Sequence, residues 1–177
     1  MIRILELPHI APPEYCEILS SLGKQTFRET FGSLFTEREL DVYLERTFAP
    51  AKMAASMKKE NNYFLLAYED DHPVGYLKMK IHSPDSHVET EKPSQLQKIY
   101  VLKDTLARGV GQRLLDQCVL HARSLSRDCL WLDVLQTNER AIRFYEKNKF
   151  KKVGTALFTI GTNDFQYYVM NLGLLEK

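Results

Sequence analysis

The stretch from Leu96 to Leu135 constrains the fold more than any other part of the chain. It reads as a strand over 96–102 and a loop ending in Arg108-Gly109-Val110-Gly111. An amphipathic helix follows over 109–125, with Val110, Leu114, Leu115, Cys118, Ala122 and Leu125 on its apolar face, and then a second strand over 129–135. A strand running through a two-glycine loop into a helix leaves the helix's unpaired N–H groups and partial positive charge at the loop, which suits an anion. Glycine also lets the backbone approach a pyrophosphate closely. The same glycines would ease a tight strand-to-helix turn, so the block alone leaves both readings open. Two stricter nucleotide motifs fail. The position three after Gly111 is Leu114, which breaks GxGxxG, and Gly23-Lys24 is followed by Gln25, which breaks the P-loop.

Around this block the periodicity predicts an α/β chain with a sheet of mixed direction. Residues 2–6 read as a strand, and a helix runs from Pro12 to Gly32 with a break near Gly23. Thr36-Glu37-Arg38-Glu39 reads as a capping box opening a second helix that ends before Pro50, and 51–59 suits a third. Strands follow at 63–68 and 74–81, joined by the turn Asp70-Asp71-His72-Pro73, and 83–94 is a polar loop. After the strand at 129–135 come a helix over 138–149 and closing strands near 150–160 and 165–172.

At 177 residues the chain is expected to form one domain, 1–177. A formal net charge of +1 argues against a dominant nucleic-acid surface. Charge is mixed into the first apolar residues, so no secretory signal is expected, and the apolar run 63–68 is too short to span a bilayer. Cys16, Cys118 and Cys129 lack paired spacing and read as free thiols in a reducing cytosol, hence a cytoplasmic location. The five histidines form no metal-ligand spacing, so no metal is expected.

A second block, Asn138-Glu139-Arg140-Ala141-Ile142-Arg143-Phe144-Tyr145 followed by Phe150, stands where a helix opens after a strand. Read alone, Asn138 is a helix cap and Tyr145 a core aromatic. Taken together, the two blocks resemble the GNAT superfamily of acetyl-CoA-dependent N-acyltransferases over about residues 60–150. The resemblance implies a mixed central sheet flanked by helices, with acetyl-CoA as cosubstrate. It implies that Ile99, Tyr100 and Val101 offer backbone groups to the thioester and pantetheine. Ala107, Arg108, Gly109, Val110, Gly111 and Gln112 would cradle the pyrophosphate. Asn138 would serve the cofactor arm and Tyr145 the sulfur. Two positions depart from the family pattern: Leu106 replaces the usual Gln or Arg, and Lys149 replaces the Gly that usually precedes Phe150.

A narrower resemblance, through Thr26-Phe27-Arg28-Glu29-Thr30-Phe31, Tyr43-Leu44-Glu45 and Val74-Gly75-Tyr76-Leu77-Lys78, is to PaiA-type polyamine N-acetyltransferases. Trp131-Leu132-Asp133-Val134 is similar both to that group and to RimI-type protein N-terminal acetyltransferases. By the RimI-type pattern Asp133 would be general base and Tyr145 general acid; PaiA-type sequences need no acid at 133, so Asp133 as a structural acceptor stays open. No covalent acyl-enzyme is implied. An aliphatic amine is neutral in roughly one molecule in two thousand at pH 7, so freeing it costs about 4–5 kcal/mol. Asp133 would help only if burial raised its pKa.

The expected acceptor is a primary amine, a polyamine such as spermidine or spermine first, drawn to Glu29, Glu37, Glu39, Asp41, Glu45, Glu89 and Glu91. Those acids are interleaved with Arg28, Arg38, Arg46 and Lys92, which equally fits ordinary solvated helix faces. A peptide N-terminus and a non-catalytic acyl-CoA-binding module are the alternatives. Partners are expected to be the small amine, with no nucleic acid or membrane, and a homodimer left open.

Overall fold

Thr36 donates its amide to the Glu39 carboxylate at 3.0 Å while its hydroxyl accepts the Glu39 amide at 3.3 Å, so the capping box read from the sequence does start a helix at Glu37. In the computed structural model, which describes residues 1–175, the elements run β1 (Ile2–Glu6), α1 (Pro13–Phe31), α2 (Glu37–Phe48), α3 (Pro50–Met57), β2 (Asn62–Glu69), β3 (His72–Lys80) and β4 (Pro93–Val101). They continue with α4 (Val110–Ser124), β5 (Cys129–Leu135), α5 (Glu139–Lys147), β6 (Lys151–Ile160) and β7 (Asn163–Gly173). The strands form a seven-stranded sheet in the order β1-β2-β3-β4-β5-β7-β6. β4 and β5 pair in parallel while β1/β2, β5/β7 and β6/β7 are antiparallel, the mixed sheet flanked by helices that the sequence implies.

Two local expectations change. α1 is not broken at Gly23: a Cβ there would run into the Phe48 ring, so the glycine exists to let α2 close on α1. β4 begins at Pro93 rather than Leu96, because Pro93, Ser94 and Gln95 pair with Cys129, Leu130 and Trp131 far along the chain.

The described residues group into two compact units, one made of Met1–Met79 with Lys98–Cys118 and the other of Lys80–Gln97 with the chain from Val119 onward. The first is built on helices and rings. Leu19, Leu22 and Phe27 of α1, Leu40, Leu44 and Phe48 of α2, and Met53 and Met57 of α3 bury against Phe64, Leu66 and Tyr76. Phe27 lies 4.7 Å from the Tyr43 ring and 5.9 Å from Phe48. The Lys98 ammonium sits 4.8 Å from the Phe48 ring centre, and burial pulls its pKa down to about 8.

The second unit carries a smaller apolar cluster of Val88, Cys129, Trp131 and Val169, with Ala156 against it. The loop over 81–92 is tied down on this cluster. The Trp131 indole donates to the Ser83 carbonyl at 2.7 Å, the Ser94 hydroxyl donates to the Ile81 carbonyl at 2.7 Å, and Thr90 and Cys129 meet at 3.6 Å. Among the described residues, no helix is long and apolar enough to cross a membrane.

Candidate active site

The first group of candidate residues offers backbone. β3 approaches the end of β4 closely because residue 75 is glycine: a Cβ there would stand 2.8 Å from the Tyr100 carbonyl oxygen and 3.2 Å from Val101 Cγ2. Leu102 then donates its amide to the Val74 carbonyl at 2.9 Å, which fixes the exit of Ile99-Tyr100-Val101. After a short 3-10 turn at Lys103–Thr105 the chain enters the left-handed region twice, at Ala107 (φ 64) and Gly109 (φ 85), and α4 starts at Val110. Left-handed residues alternating with ordinary ones turn successive N–H groups toward one side, an anion-holding nest that leads here into a helix N-terminus. Beyond its own chain neighbours, no protein atom lies within 4 Å of where a Gly109 Cβ would be, so it is the left-handed backbone, not crowding, that favours glycine there. Ala107, Arg108 and Gly109 are exposed and Val110 is buried, so the loop is anchored by its helix and open above. Arg108 is drawn to Glu69 at 2.8 Å, which offsets part of the charge it would bring to an anion. A pyrophosphate fits these groups: exposed backbone donors, no crowding side chain and no carboxylate in the loop itself.

The second group, in the other unit, offers side chains. Asp133 on β5 is half-buried, and its carboxyl is pushed up to about 6, first by burial, then by the Asp85 carboxylate, against the opposing influence of His87 and a 3.5 Å contact from the Gln95 amide. Asn138 caps α5, its side-chain oxygen accepting the Ala141 amide at 3.2 Å, so the capping reading holds whatever else its amide does.

Tyr145 is 8% exposed and lies between Phe144 at 5.4 Å and Phe150 at 5.5 Å. Its position follows from how α5 ends. The Phe150 amide donates to the Tyr145 carbonyl at 3.0 Å and the Lys149 amide to the Glu146 carbonyl at 3.0 Å, with Lys149 left-handed at φ 68. This is a Schellman closure, and the Tyr145–Phe150 ring contact is the apolar clasp that accompanies it. Lys149 adopts the backbone conformation that glycine adopts freely, so the departure from the family pattern keeps the turn and adds strain.

The acids expected to draw a polycation are largely engaged. Glu45 pairs with Lys24 at 2.7 Å, Asp41 with Arg28 at 2.5 Å and Glu37 with Arg28 at 3.9 Å. Glu29 accepts the Lys103 amide at 2.8 Å and Glu39 is spent in the capping box. Among the described residues, no three metal-binding side chains gather. Asp85 and His87, which act on Asp133, were not singled out by sequence reasoning; they lie in a polar loop, and only cross-strand register brings them into play.

A sequence model of the acetyltransferase (GNAT) family matches residues 24–150. Similar proteins include an uncharacterised N-acetyltransferase of Lactobacillus delbrueckii subsp. lactis, 24% identical over 160 residues, covering 90% of each chain. Another from Mycobacterium tuberculosis is 28% identical over 152 residues, covering 86% of this chain and 93% of the relative. Among solved structures, the PaiA N-acetyltransferase of Thermoplasma acidophilum in complex with coenzyme A superposes with a TM-score of 0.78 at 19% identity, covering 98% of this chain and 99% of that one. The ribosomal-protein-S18-alanine N-acetyltransferase of Escherichia coli gives 0.70 at 14% identity, covering 100% and 96%. With a family match running through both glycine-loop and Asn–Tyr blocks, the chain belongs to the acetyltransferase (GNAT) family, and it is an N-acetyltransferase that uses acetyl-CoA.

Proposed function

We propose that the chain transfers acetyl from acetyl-CoA to a primary amine of a small polyamine, by direct attack of the neutral amine on the thioester. The observation that carries the donor half is the pair of left-handed residues, Ala107 and Gly109, opening onto the N-terminus of α4. In this reading Ala107 to Gln112 hold the pyrophosphate through backbone N–H groups, and the Val101 amide polarises the acetyl carbonyl. Asn138 serves the pantetheine arm and Tyr145 protonates the departing thiolate. Asp133 takes the amine proton; a carboxyl titrating at about 6 is a far better acceptor than one at the ordinary value of 3.8.

Polyamine specificity rests on the PaiA-type sequence resemblance and on the acids of α1, α2 and the loop over 81–92. A peptide N-terminal amine is the second reading, favoured by the ion-paired state of Asp41 and Glu45, which leaves less charge for a polycation. Rates with acetyl-CoA and a panel of spermidine, spermine, monoamines and short peptides separate the two. The polyamine reading expects kcat/KM at least about 10-fold above the monoamines. A peptide preferred over both polyamines overturns it.

A further inference from the structure

The loop over 81–92 builds a polar pair onto the sheet face that carries Asp133. Asp85 does three things there: it bridges to Val88 as an isolated antiparallel pair, accepts the His87 amide at 2.9 Å, and holds His87 Nδ1 at 2.9 Å through the same oxygen. Val88, next along, is 5% exposed in the apolar cluster with Cys129, Trp131 and Val169. The pair is therefore pinned by a hydrophobic anchor one residue away.

The place the His87 ring takes is made by an absence. A Cβ on Gly154 would overlap the ring carbons Cδ2 and Cγ and stand 2.8 Å from Nε2. Gly154 of β6 is in register with Val169 of β7, and Val169 with Asp133 of β5. Directly opposed residues point to the same face, so Gly154, Val169 and Asp133 form one row across three strands, with His87 filling the empty end. The other groups on this face are Gln95 from β4, in contact with Asp133 at 3.5 Å, and, by register, Tyr167 opposite Leu135 and Lys151 opposite Asn171.

We propose that His87 is a positioning residue for acetyl transfer: the loop over 81–92 lays the Asp85–His87 pair into the space left by Gly154, and the pair governs when Asp133 can take the acceptor's proton. The two partners act in opposite senses. The Asp85 carboxylate disfavours a second negative charge on Asp133, and the imidazolium of His87 favours it. The His87 side chain is 34% exposed, whereas Asp133 stays half-buried. In the step affected, an ammonium N–H bond breaks, an Asp133 O–H bond forms, and the proton later leaves to water; nothing is oxidised or reduced.

The inference rests on the proton-accepting role given to Asp133 above, and the experiment separates the two. In the full chain labelled with carboxyl-13C aspartate, the Asp133 titration is followed in wild type, His87→Gln, Asp85→Asn and Gly154→Ala, with each variant's fold checked by its melting temperature. His87→Gln raises the midpoint by roughly 0.5–1 on the pH scale and Asp85→Asn lowers it by a similar amount. Gly154→Ala, which displaces the ring without removing a charge, moves it in the same direction as His87→Gln. A merely structural loop would not give opposite signs from adjacent positions. Midpoints unmoved in folded variants, or moved in one common direction, overturn the proposal. The ascending limb of kcat/KM against pH is read in parallel. Midpoints that move while this limb stays put overturn the proton-accepting role of Asp133 itself.

Discussion

The segment 99–112 and the segment 133–150 handle their tasks in different materials. The first presents backbone: Gly75 brings β3 against Tyr100, and the loop at 107–109 is exposed with open space around Gly109. The second presents side chains, each held by a separate local device: burial and a charged pair for Asp133, a helix cap for Asn138, a Schellman clasp for Tyr145. In the proposed reading, recognition through N–H groups tolerates changes of side chain, so Leu106 in place of Gln or Arg is expected to cost little. Recognition through side chains tolerates changes of backbone instead, so Lys149 survives in a glycine's conformation as long as the clasp closes.

The comparison breaks first at Gly109. Gly109→Glu places a like charge and bulk where phosphate would lie, and acetyl-CoA affinity by calorimetry is expected to fall more than about 100-fold. The surrounding space is open, but the left-handed backbone at φ 85 strains any side chain, so the variant's melting temperature is measured alongside. Wild-type affinity in a folded variant would take the donor away from this loop. On the side-chain segment, Tyr145→Phe removes one hydroxyl and keeps both ring contacts. The expected loss is about 100-fold in kcat with little change in acetyl-CoA affinity. A near wild-type kcat returns Tyr145 to the role of clasp alone.

Asp133→Asn sharpens the contrast further, and its two pH effects have opposite signs. As an acceptor the carboxylate works above about 6, so the variant's loss in kcat/KM, about 10-fold, is greatest between there and the amine's own pKa, and the wild-type ascending limb flattens. For stability, the carboxyl keeps its proton longer when folded than when unfolded. Between the ordinary 3.8 and about 6 the native state binds more protons, so its contribution is present at low pH and is lost as pH rises through about 6. Asp133→Asn should therefore melt no lower than wild type at pH 8. Denaturation across pH 4–8 checks the sign. The smallest effect is at the clasp: Lys149→Gly relieves the left-handed strain for a gain of about 1 kcal/mol, or roughly 2–4 °C in Tm, with kcat unchanged.

Much of this was legible along the chain because it is local. The capping box at Thr36, the amphipathic α4, the apolar run of β2 and the alternation read in β3 each depend on neighbours a few residues away. The glycine loop and the Asn138–Tyr145 spacing were legible for the same reason. What the chain hides is set by partners far away in sequence. Gly23 reads as a helix breaker until Phe48, twenty-five residues on, is seen against it. The β4 start at Pro93 depends on Cys129, and the influence of His87 depends on a glycine in β6. The acids of α1 and α2 are a third case: their composition and the interleaved Arg28 were visible, but not which acids Arg28 and Lys24 engage.

The three cysteines carry a practical consequence for measuring the reaction. Cys16, Cys118 and Cys129 are 7%, 0% and 2% exposed, and burial pushes the thiols of Cys118 and Cys129 up, away from the reactive thiolate. Acetyl transfer releases coenzyme A, whose thiol is free in solution. An aromatic disulfide reagent added to the native enzyme should therefore report product with almost no signal from the protein, whereas the same reagent in denaturant should count three thiols per chain. That pair of readings turns the burial of the sulfur atoms into an internal control, since any rise in the native blank marks chains that have opened.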